Sequence, residues 1–386
     1  MRVLALGGAG AVCQEATKDL AAFSDFEEIV VADYNLAAVE KLIADIGDPR
    51  LTALKFNAED YNSMLELFPQ FDVVMNGLPF KYDLAVNTAC VETGVNGLDL
   101  SSEDPQFALH EKALAKDMIF VPGVGATPGI TNMCVRRATE QLDEITEVEI
   151  FFAAFRNLAP GPGLLATTLW EFVPGESDRQ DVYFEDGQWH ATPPLSGGID
   201  VRFHDQIGTQ RVYYVPHDEA QTLPRSYPSL RRAAVRGCFP PHVMSLMGSL
   251  MKGGLLVADP IKIGDTELPA VEYIRELLWN SPASKENPVW AYGLVIEVTG
   301  TRNGRHAKCV YRTEHPPQDE WGGKAAYFKN VGIPLSIGAQ MLAKGMALAK
   351  GVQPPELTFP TAPFFAELEK RGIKVYETIT EEGYVG

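Results

Sequence analysis

Two glycines near the amino terminus have the spacing of a phosphate-binding turn. Gly8 and Gly10 follow an apolar run at residues 3–6 and precede a helical pattern that begins near Ala11 and Val12. Gly8 would allow a tight turn, and Gly10 would let the backbone approach a diphosphate closely. The free N–H groups and the positive dipole end of the helix would then face that anion. The pattern therefore predicts a dinucleotide-binding βαβ unit.

An acidic residue completes this pattern. Asp33 follows a second apolar run, at residues 29–32, and lies 25 residues after Gly8. A carboxylate at this place can accept hydrogen bonds from the adenosine ribose of NAD, whereas it would repel the 2′-phosphate of NADP. We therefore predict NAD as the cofactor, with NADP less favoured. Cys13 stands where the usual motif has its third glycine, so a turn that only joins a strand to a helix is the alternative.

Further candidate cofactor contacts follow later predicted strands, because ligands of open α/β sheets bind beyond the carboxyl ends of the strands. Asn57 and Ala58 follow the third strand and are expected near the adenine. Four residues follow the fourth strand and are expected near the nicotinamide: Asn76, Gly77, Leu78 and Pro79. For Asn76, a loop residue that satisfies its own backbone is an equally good interpretation.

Two segments could bind the carboxylate of a substrate. Thr127, Pro128 and Gly129 lie between the sixth predicted strand and a helix, where bare N–H groups could hold either a substrate carboxylate or the nicotinamide. The alternative for this segment is a glycine-rich connector. Arg225 lies on a predicted loop of the second domain and could form a bidentate pair with a carboxylate, or could belong to a solvated face.

Composition excludes several classes of protein. The 386 residues include 33 Lys and Arg against 51 Asp and Glu, a formal charge of −18, which argues against nucleic acid and anionic membranes as partners. No apolar run approaches the roughly 20 residues that span a bilayer. Met1 and Arg2 lead directly into the first strand rather than into a signal peptide. The five scattered cysteines fit reduced thiols in the cytoplasm, and no spacing indicates a metal site.

Periodicity predicts two domains. Strand and helix patterns alternate over residues 1–130, which predicts a doubly wound parallel sheet of the α/β class, the Rossmann fold. Residues 131–330 contain alternating strands and the hairpin signal Asn303-Gly304, which predict an α+β domain with a mixed or antiparallel sheet. Helical patterns return afterwards. Residues 331–386 are therefore predicted to rejoin the first domain, which makes the dinucleotide-binding domain discontinuous.

These motifs, in this order, resemble the saccharopine dehydrogenase family over nearly the whole chain. The resemblance rests on the segments 6–10, 31–33, 76–79, 97–101, 124–129, 223–227 and 351–372. It implies a Rossmann domain, a second domain that supplies substrate contacts and dimerisation, and NAD(P)-linked oxidation of a C–N bond. The expected protein is therefore a cytoplasmic homodimer of lysine or amino-acid metabolism that acts on a lysine-like or saccharopine-like amino acid.

Oxidation of an amine implies a general base, because an ammonium group must lose a proton before hydride can leave the adjacent carbon. Asp99, Lys81 and His242 are the candidates, and Asp99 is preferred because it ends the fifth strand beside the expected nicotinamide. Arg225 would bind the substrate carboxylate. Two other interpretations stay open: an enzyme that reductively forms an opine or a carboxy-polyamine, and a non-catalytic regulatory protein that binds NAD.

Overall fold

The computed structural model describes residues 1–173, 182–286 and 288–383. The chain forms two compact units. The first unit comprises Met1–Arg137 and Phe328–Lys374, and the second comprises Ala138–Tyr327 and Val375–Gly386. Each unit contains its own large β-sheet, so each is described separately.

A parallel sheet of seven strands forms the first unit. Its strands are β1 (Arg2–Leu6), β2 (Glu28–Asp33), β3 (Leu51–Lys55), β4 (Val73–Asn76), β5 (Asn96–Leu98), β6 (Ile119–Val121) and β17 (Gly351–Val352). They lie in the order β17-β6-β5-β4-β1-β2-β3, and every neighbouring pair is parallel. The strand order reverses between β1 and β4, which is the place where doubly wound sheets bind ligands. This arrangement confirms the predicted Rossmann architecture.

A mixed sheet forms the second unit. Its strands are β7 (Glu144–Phe155), β8 (Tyr183–Glu185), β9 (Gln188–His190), β10 (Ile199–Arg202), β11 (Thr209–Tyr214), β12 (Arg232–Cys238), β15 (Ala291–Arg302), β16 (Arg305–Glu314) and β18 (Lys374–Glu381). The main order is β10-β11-β12-β7-β15-β16-β18, and β8 pairs with both β12 and β9. β7 is parallel to β12 and antiparallel to β15, so the sheet is mixed, as predicted. A separate antiparallel pair consists of β13 (Pro260–Ile263) and β14 (Thr266–Pro269).

Helices connect these strands in both units. In chain order they are α1 (Cys13–Phe23), α2 (Leu36–Ile46), α3 (Tyr61–Leu67), α4 (Asp83–Thr93), α5 (Asp104–Phe107), α6 (His110–Ala115), α7 (Ile130–Thr139), α8 (Pro162–Trp170), α9 (Glu219–Ser226), α10 (Pro241–Lys252), α11 (Ala270–Asn280), α12 (Ala325–Ala343), α13 (Pro355–Thr358) and α14 (Thr361–Lys370). Among the described residues, no helix is long and apolar enough to cross a membrane. The same residues hold no group of three or more His, Cys, Asp or Glu side chains that could bind a metal ion.

Local sequence explains where several elements begin and end. Residues 3–6 of β1 are fully buried, as expected for a central parallel strand that is covered on both faces. Asn35 caps α2 by accepting a hydrogen bond from the N–H of Ala38, and Gly47 ends this helix at a φ of 74°. In the second unit, Asn303 and Gly304 have φ values of 53° and 73°, which the tight turn between β15 and β16 requires.

The carboxy-terminal boundary differs from the prediction. The sequence predicts that residues 331–386 all belong to the first domain, whereas Val375–Gly386 belong to the second unit. β18 lies beside β16 at the edge of the second sheet, and Tyr311 of β16 donates its hydroxyl to Glu377 over 3.0 Å. The side chains of β18 are mostly exposed, so this edge strand lacks the apolar alternation that would have identified it.

The contact between Gly77 and Cys13 gives a test of the packing around β1 and β4. A Cβ on Gly77 would lie 1.9 Å from the Sγ of Cys13. We expect Gly77→Ala to lower the free energy of unfolding by about 1–3 kcal/mol through overpacking. Cys13→Gly removes the obstructing side chain, so the double variant should cost less than the sum of the two single variants. Thermal unfolding of the four proteins measures this coupling, and strictly additive losses would contradict it.

Candidate functional site

The turn after β1 is built from closely packed backbone. Gly7 has a φ of 64°, and the N–H of Gly10 donates to the carbonyl oxygen of Gly7 over 2.9 Å. A Cβ on Gly8 would lie 2.8 Å from Cγ1 of Val31 and 3.0 Å from Oγ1 of Thr17. Packing against β2 and α1 therefore requires glycine at position 8, and this keeps the start of α1 close to the end of β1.

The N–H groups that precede α1 are available for an anion. Within the ranges that the structure describes, the N–H groups of Ala9, Ala11 and Val12 donate to no carbonyl oxygen and no side chain. Ala11 and Val12 are only partly buried, and α1 begins at Cys13. Unpaired N–H groups at the positive end of a helix dipole attract anions. The geometry therefore fits the diphosphate that the sequence predicts.

Cys13 takes the place of the third glycine as a packing residue. Its Sγ lies 3.4 Å from the carbonyl oxygen of Gly77, and its side chain is buried. Burial raises the pKa of this thiol to about 12, and the carboxylates of Asp33 and Asp83 add to the effect. The thiol is therefore protonated at neutral pH, which excludes a nucleophilic role and leaves close helix–strand packing as its function.

Asp33 lies at the end of β2, as the sequence predicts. Its Oδ1 accepts a hydrogen bond from the N–H of Asn35 over 3.0 Å. Its Oδ2 has no hydrogen-bond partner in the described part of the chain, and the side chain is partly exposed. Lys55 of β3 lies opposite Asp33 in the register of the two strands. One carboxylate oxygen is thus available to the hydroxyl groups of a ribose.

The two candidates after β3 lie at the surface of the first unit. Asn57 is exposed, and its Oδ1 accepts a hydrogen bond from the N–H of Glu59 over 3.1 Å. Ala58 is partly buried and packs against the hydrophobic core beside Phe56 and Tyr61. The proposed contact of Asn57 and Ala58 with an adenine stays a prediction.

The four candidates after β4 form a turn that Asn76 holds together. Asn76 is 1% exposed, donates from Nδ2 to Oδ1 of Asp83 over 2.7 Å, and accepts from the N–H of Leu78 over 3.1 Å. Gly77 and Leu78 are partly buried, and Pro79 is exposed. These contacts support the interpretation of Asn76 as a loop residue that satisfies its own backbone. Contact of the turn with a nicotinamide stays a prediction.

The first two candidates for proton transfer differ in their surroundings. Asp99 is 0% exposed, and its two oxygens accept from Nε2 of Gln106 over 2.6 Å and from the N–H of Gly123 over 3.2 Å. Lys81 is exposed, and its Nζ lies 4.6 Å from the ring centre of Tyr82. Asp99 therefore connects β5, α5 and the segment after β6, and a role in proton transfer stays a prediction for both residues.

The third candidate, His242, belongs to the second unit. It occupies the first turn of α10 and is exposed. Val243 and Met247 of the same helix are buried, so the helix packs through these apolar residues while His242 points away from that core. Its part in proton transfer stays a prediction.

The predicted row of bare N–H groups before α7 is wrong. The N–H of Gly129 donates to Oδ1 of Asn132 over 2.9 Å, and the N–H of Ile130 donates to the carbonyl oxygen of Gly125 over 2.9 Å. The N–H of Gly125 donates to the carbonyl oxygen of Pro128 over 2.8 Å. The segment satisfies these groups internally, which supports the interpretation as a connector. Binding of substrate by Thr127, Pro128 or Gly129 stays a prediction.

Arg225 lies in a helix, so the predicted loop is wrong. α9 contains Pro224, which has no N–H to donate to the carbonyl oxygen of Ala220. That oxygen instead accepts a hydrogen bond from Nε1 of Trp189 over 3.1 Å. This bond replaces the one that the proline cannot make. The guanidinium of Arg225 is exposed and lies 5.9 Å from the ring centre of Trp189. Its binding of a carboxylate stays a prediction.

A group of buried and partly buried ionisable side chains in the second unit is not apparent from the sequence. We call it the second-unit cluster, and it consists of Arg156, Glu171, His217, Glu219 and Tyr292. Nδ1 of His217 lies 2.6 Å from Oε2 of Glu219, which is 0% exposed. Burial lowers the pKa of His217, but the carboxylate of Glu219 outweighs it and raises the pKa to about 9. His217 and Glu219 therefore form a partly buried ion pair at neutral pH.

Glu171 is the least satisfied member of the second-unit cluster. Burial raises its pKa to about 7, although His217 and Arg156 oppose this effect with their positive charges. Burial also raises the pKa of Tyr292 well above its ordinary value of 10.0, so the phenol is neutral. Carboxyl groups whose pKa is strongly shifted by burial and by charged partners cluster at functional sites. In the sequence, only the closeness of His217 and Glu219 hints at this cluster, because the other members are far apart along the chain.

The doubly wound sheet, the glycine turn with its free N–H groups, and the acid at the end of β2 define a nicotinamide-dinucleotide-binding enzyme. Residues 3–121 match the family model described as the saccharopine dehydrogenase NADP binding domain, and residues 125–373 match the saccharopine dehydrogenase C-terminal domain. The chain belongs to the saccharopine dehydrogenase family. It is an oxidoreductase that acts on CH–NH groups with a nicotinamide cofactor, and the resemblance seen in the motifs is confirmed.

Individual relatives support this assignment. The chain is 25% identical to carboxyaminopropylagmatine dehydrogenase of Synechocystis sp., over 96% of each protein. It is 28% identical over 146 residues to alpha-aminoadipic semialdehyde synthase of Arabidopsis thaliana, which covers 33% of this chain and 14% of that protein. The structure of apo saccharopine dehydrogenase (L-Glu forming) from Saccharomyces cerevisiae has a TM-score of 0.73 at 14% identity, over 98% of this chain and 99% of that one. This structural similarity to the yeast enzyme shows a shared fold.

The role of Gly10 in nucleotide binding can be tested directly. Gly10→Val would place a branched side chain beside the free N–H groups of Ala11 and Val12, so we expect the affinity for NADH to fall by about tenfold or more. Titration calorimetry measures this loss. Gly163→Val is the control, because a Cβ on Gly163 of α8 would meet no heavy atom within 4 Å. Equal NADH affinities for both variants and the wild type would contradict the assigned anion site.

The raised pKa of Glu171 predicts a dependence of stability on pH. Unfolding returns this carboxyl to water, where its pKa is 4.5, whereas in the folded chain it is about 7. The folded chain therefore loses stability as the pH rises from about 4.5 to 7. We expect Glu171→Gln, which cannot ionise, to be more stable than the wild type by about 1–3 kcal/mol at pH 8 and nearly equal at pH 4.5. Thermal unfolding at both pH values measures this difference. A stability difference between the two proteins that does not change with pH would contradict the prediction.

Proposed function

We propose that this chain catalyses the NAD-linked formation and oxidation of a secondary amine in which a carboxyaminopropyl group is joined to a polyamine or a guanidino-amine. The observation that carries the proposal is the match to carboxyaminopropylagmatine dehydrogenase over 96% of both chains. A match of that extent includes the second unit, in addition to the nucleotide-binding sheet. The match to alpha-aminoadipic semialdehyde synthase covers only 33% of this chain, so a lysine-like or saccharopine-like substrate has less support.

The proposed reaction balances as a reductive condensation. An amine and an aldehyde form an imine and water, and the imine carbon then gains a hydride while a proton from solvent satisfies the nitrogen. When bound, the nicotinamide supplies this hydride, or accepts it in the oxidative direction. The N–H groups of Ala11 and Val12 would hold the diphosphate, and Asp33 would accept hydrogen bonds from the ribose. In the oxidative direction the amine must lose its proton before hydride departs, so the rate rises with pH until the amine is neutral.

A product-resolved assay tests the proposed substrate. The full chain is incubated with NADH, agmatine or spermidine, and L-aspartate β-semialdehyde, the aldehyde that yields a carboxyaminopropyl group. We expect NADH to be consumed only when amine and aldehyde are both present, and mass spectrometry to find the secondary amine. Matched incubations of NAD with lysine or saccharopine are the comparison. NADH formation from those amino acids, without any condensation product, would contradict the proposal in favour of amino-acid oxidation.

The proposed preference for NAD over NADP rests on Asp33. Its carboxylate would repel a 2′-phosphate, while Lys55 on the neighbouring strand would remain to attract one. We expect Asp33→Ser to lower kcat/KM for NADH by about tenfold and to raise it for NADPH. Asp45→Ser is the control, because Asp45 is an exposed acid of α2 that pairs with Lys41. A wild-type enzyme that uses NADPH as well as NADH, or an unchanged ratio in Asp33→Ser, would refute the preference.

A further inference from the structure

Two buried polar atoms of the second-unit cluster have no partner. Among the described residues, these atoms are Nε of Arg156 and Oε2 of Glu171. Arg156 is 3% exposed. A buried donor or acceptor without a partner costs about 1–3 kcal/mol, and proteins rarely keep one without a use. One atom is a donor on a cation and the other is an acceptor on a carboxyl, so they are complementary to different groups of a ligand.

The guanidinium of Arg156 is held in place by its other nitrogens. Nη1 donates to the carbonyl oxygens of Asn157 over 3.2 Å and Leu158 over 3.3 Å, and Nη2 donates to Oγ1 of Thr168 over 2.5 Å. The group also lies 4.9 Å from the ring centre of Phe239. Nε has no partner among the described residues, and Nη2 uses one of its two N–H groups. Arg156 is therefore a preorganised cation with N–H groups open to a further acceptor.

The charges of the second-unit cluster do not balance within it. Arg156 and His217 are both positive, and the carboxylate of Glu219 is taken by His217. Glu171 is the remaining acid, and burial holds its pKa at about 7, so it neutralises Arg156 only in part. A ligand carboxylate would pair with Arg156, and a ligand ammonium group would favour the ionised form of Glu171, whose charge then balances the cluster.

We propose that Arg156 and Glu171 bind the two charged groups of an amino-acid head group, with the α-carboxylate on Nε of Arg156 and the α-ammonium on Oε2 of Glu171. A zwitterion of this kind satisfies both open atoms and brings one charge of each sign into the second-unit cluster. The assignment rests on the proposed function in taking the carboxyaminopropyl end of the substrate as this head group. It places recognition of that end in the second unit, at residues that no sequence motif marks.

A pair of small probes isolates the ammonium group. L-α,γ-diaminobutanoate carries the carboxylate, the α-ammonium and a terminal amine, and γ-aminobutanoate lacks only the α-ammonium. In titration calorimetry of the full chain we expect the first probe to bind about tenfold more tightly. Glu171→Gln should remove this preference without changing the affinity for γ-aminobutanoate. Glu297→Gln is the control, because Glu297 is a carboxylate of the same unit that pairs with Lys308 on the sheet surface, and it should keep the preference.

The pH dependence separates binding by Glu171 from a merely structural role. Ionisation of Glu171 strengthens its contact with an ammonium group, so the preference of the wild type should grow between pH 6 and pH 8 and stay flat in Glu171→Gln. Equal affinities of the wild type for the two probes, or a preference that does not change with pH, would overturn the proposal. So would a preference that survives Glu171→Gln, or a loss of affinity for both probes in Arg225→Ala, because the carboxylate would then bind at α9.

The same measurements distinguish this site from the proposed function. A pH-dependent preference for the α-ammonium, without any NADH consumed in the condensation assay, supports the site and rejects the proposed reaction. Condensation activity without such a preference supports the reaction and rejects the site. The two proposals therefore fail on different observations.

Discussion

The nucleotide site depends on the close approach of backbone segments at the ends of β1 and β4. A Cβ on Gly7 would lie 2.7 Å from the carbonyl oxygen of Gly77, and a Cβ on Gly77 would lie 1.9 Å from the Sγ of Cys13. Both turns therefore exclude side chains, and α1 must start immediately beyond the sheet. The first N–H groups of a helix have no partner within it, and those of Ala11 and Val12 donate to no carbonyl oxygen among the described residues, so this packing leaves an anion site beyond the sheet.

The parts of the fold that the sequence predicts correctly are those with local signals. The first six strands of the parallel sheet appear as apolar runs that end in glycine or polar residues, and the hairpin at Asn303 and Gly304 appears as a two-residue turn. β18 escapes prediction because its place beside β16 is fixed by a partner far along the chain. Arg225 is wrongly expected on a loop, because a proline such as Pro224 usually ends a helix. Here α9 continues, because Trp189 donates a hydrogen bond to the carbonyl oxygen that Pro224 leaves unpaired.

The candidate site also has one part that the sequence predicts and one part that it does not. Asp33, Gly8 and Gly10 belong to one continuous motif, so their chemistry can be inferred from spacing alone. The second-unit cluster draws Arg156 from the residue after β7 and Glu171 from the end of α8. His217 comes from the segment before α9, Glu219 from α9 and Tyr292 from β15. No period relates these positions, and each side chain alone has an ordinary structural explanation. Only the fold shows that their charges share one buried environment, where the electrostatic effects on pKa are large.

Burial alone does not distinguish a structural carboxylate from one that binds a ligand. The distinguishing feature is whether both of its oxygens already accept hydrogen bonds. In Asp99, both oxygens accept hydrogen bonds, from Gln106 and from the N–H of Gly123, so the group needs nothing further. Asp83 is likewise complete, with Asn76 on one oxygen and Ser101 on the other. Glu171 differs because one oxygen is open among the described residues, and its charge is opposed by desolvation. A buried acid in that state is stabilised by an incoming cation, and Asp99 and Asp83 have no such need.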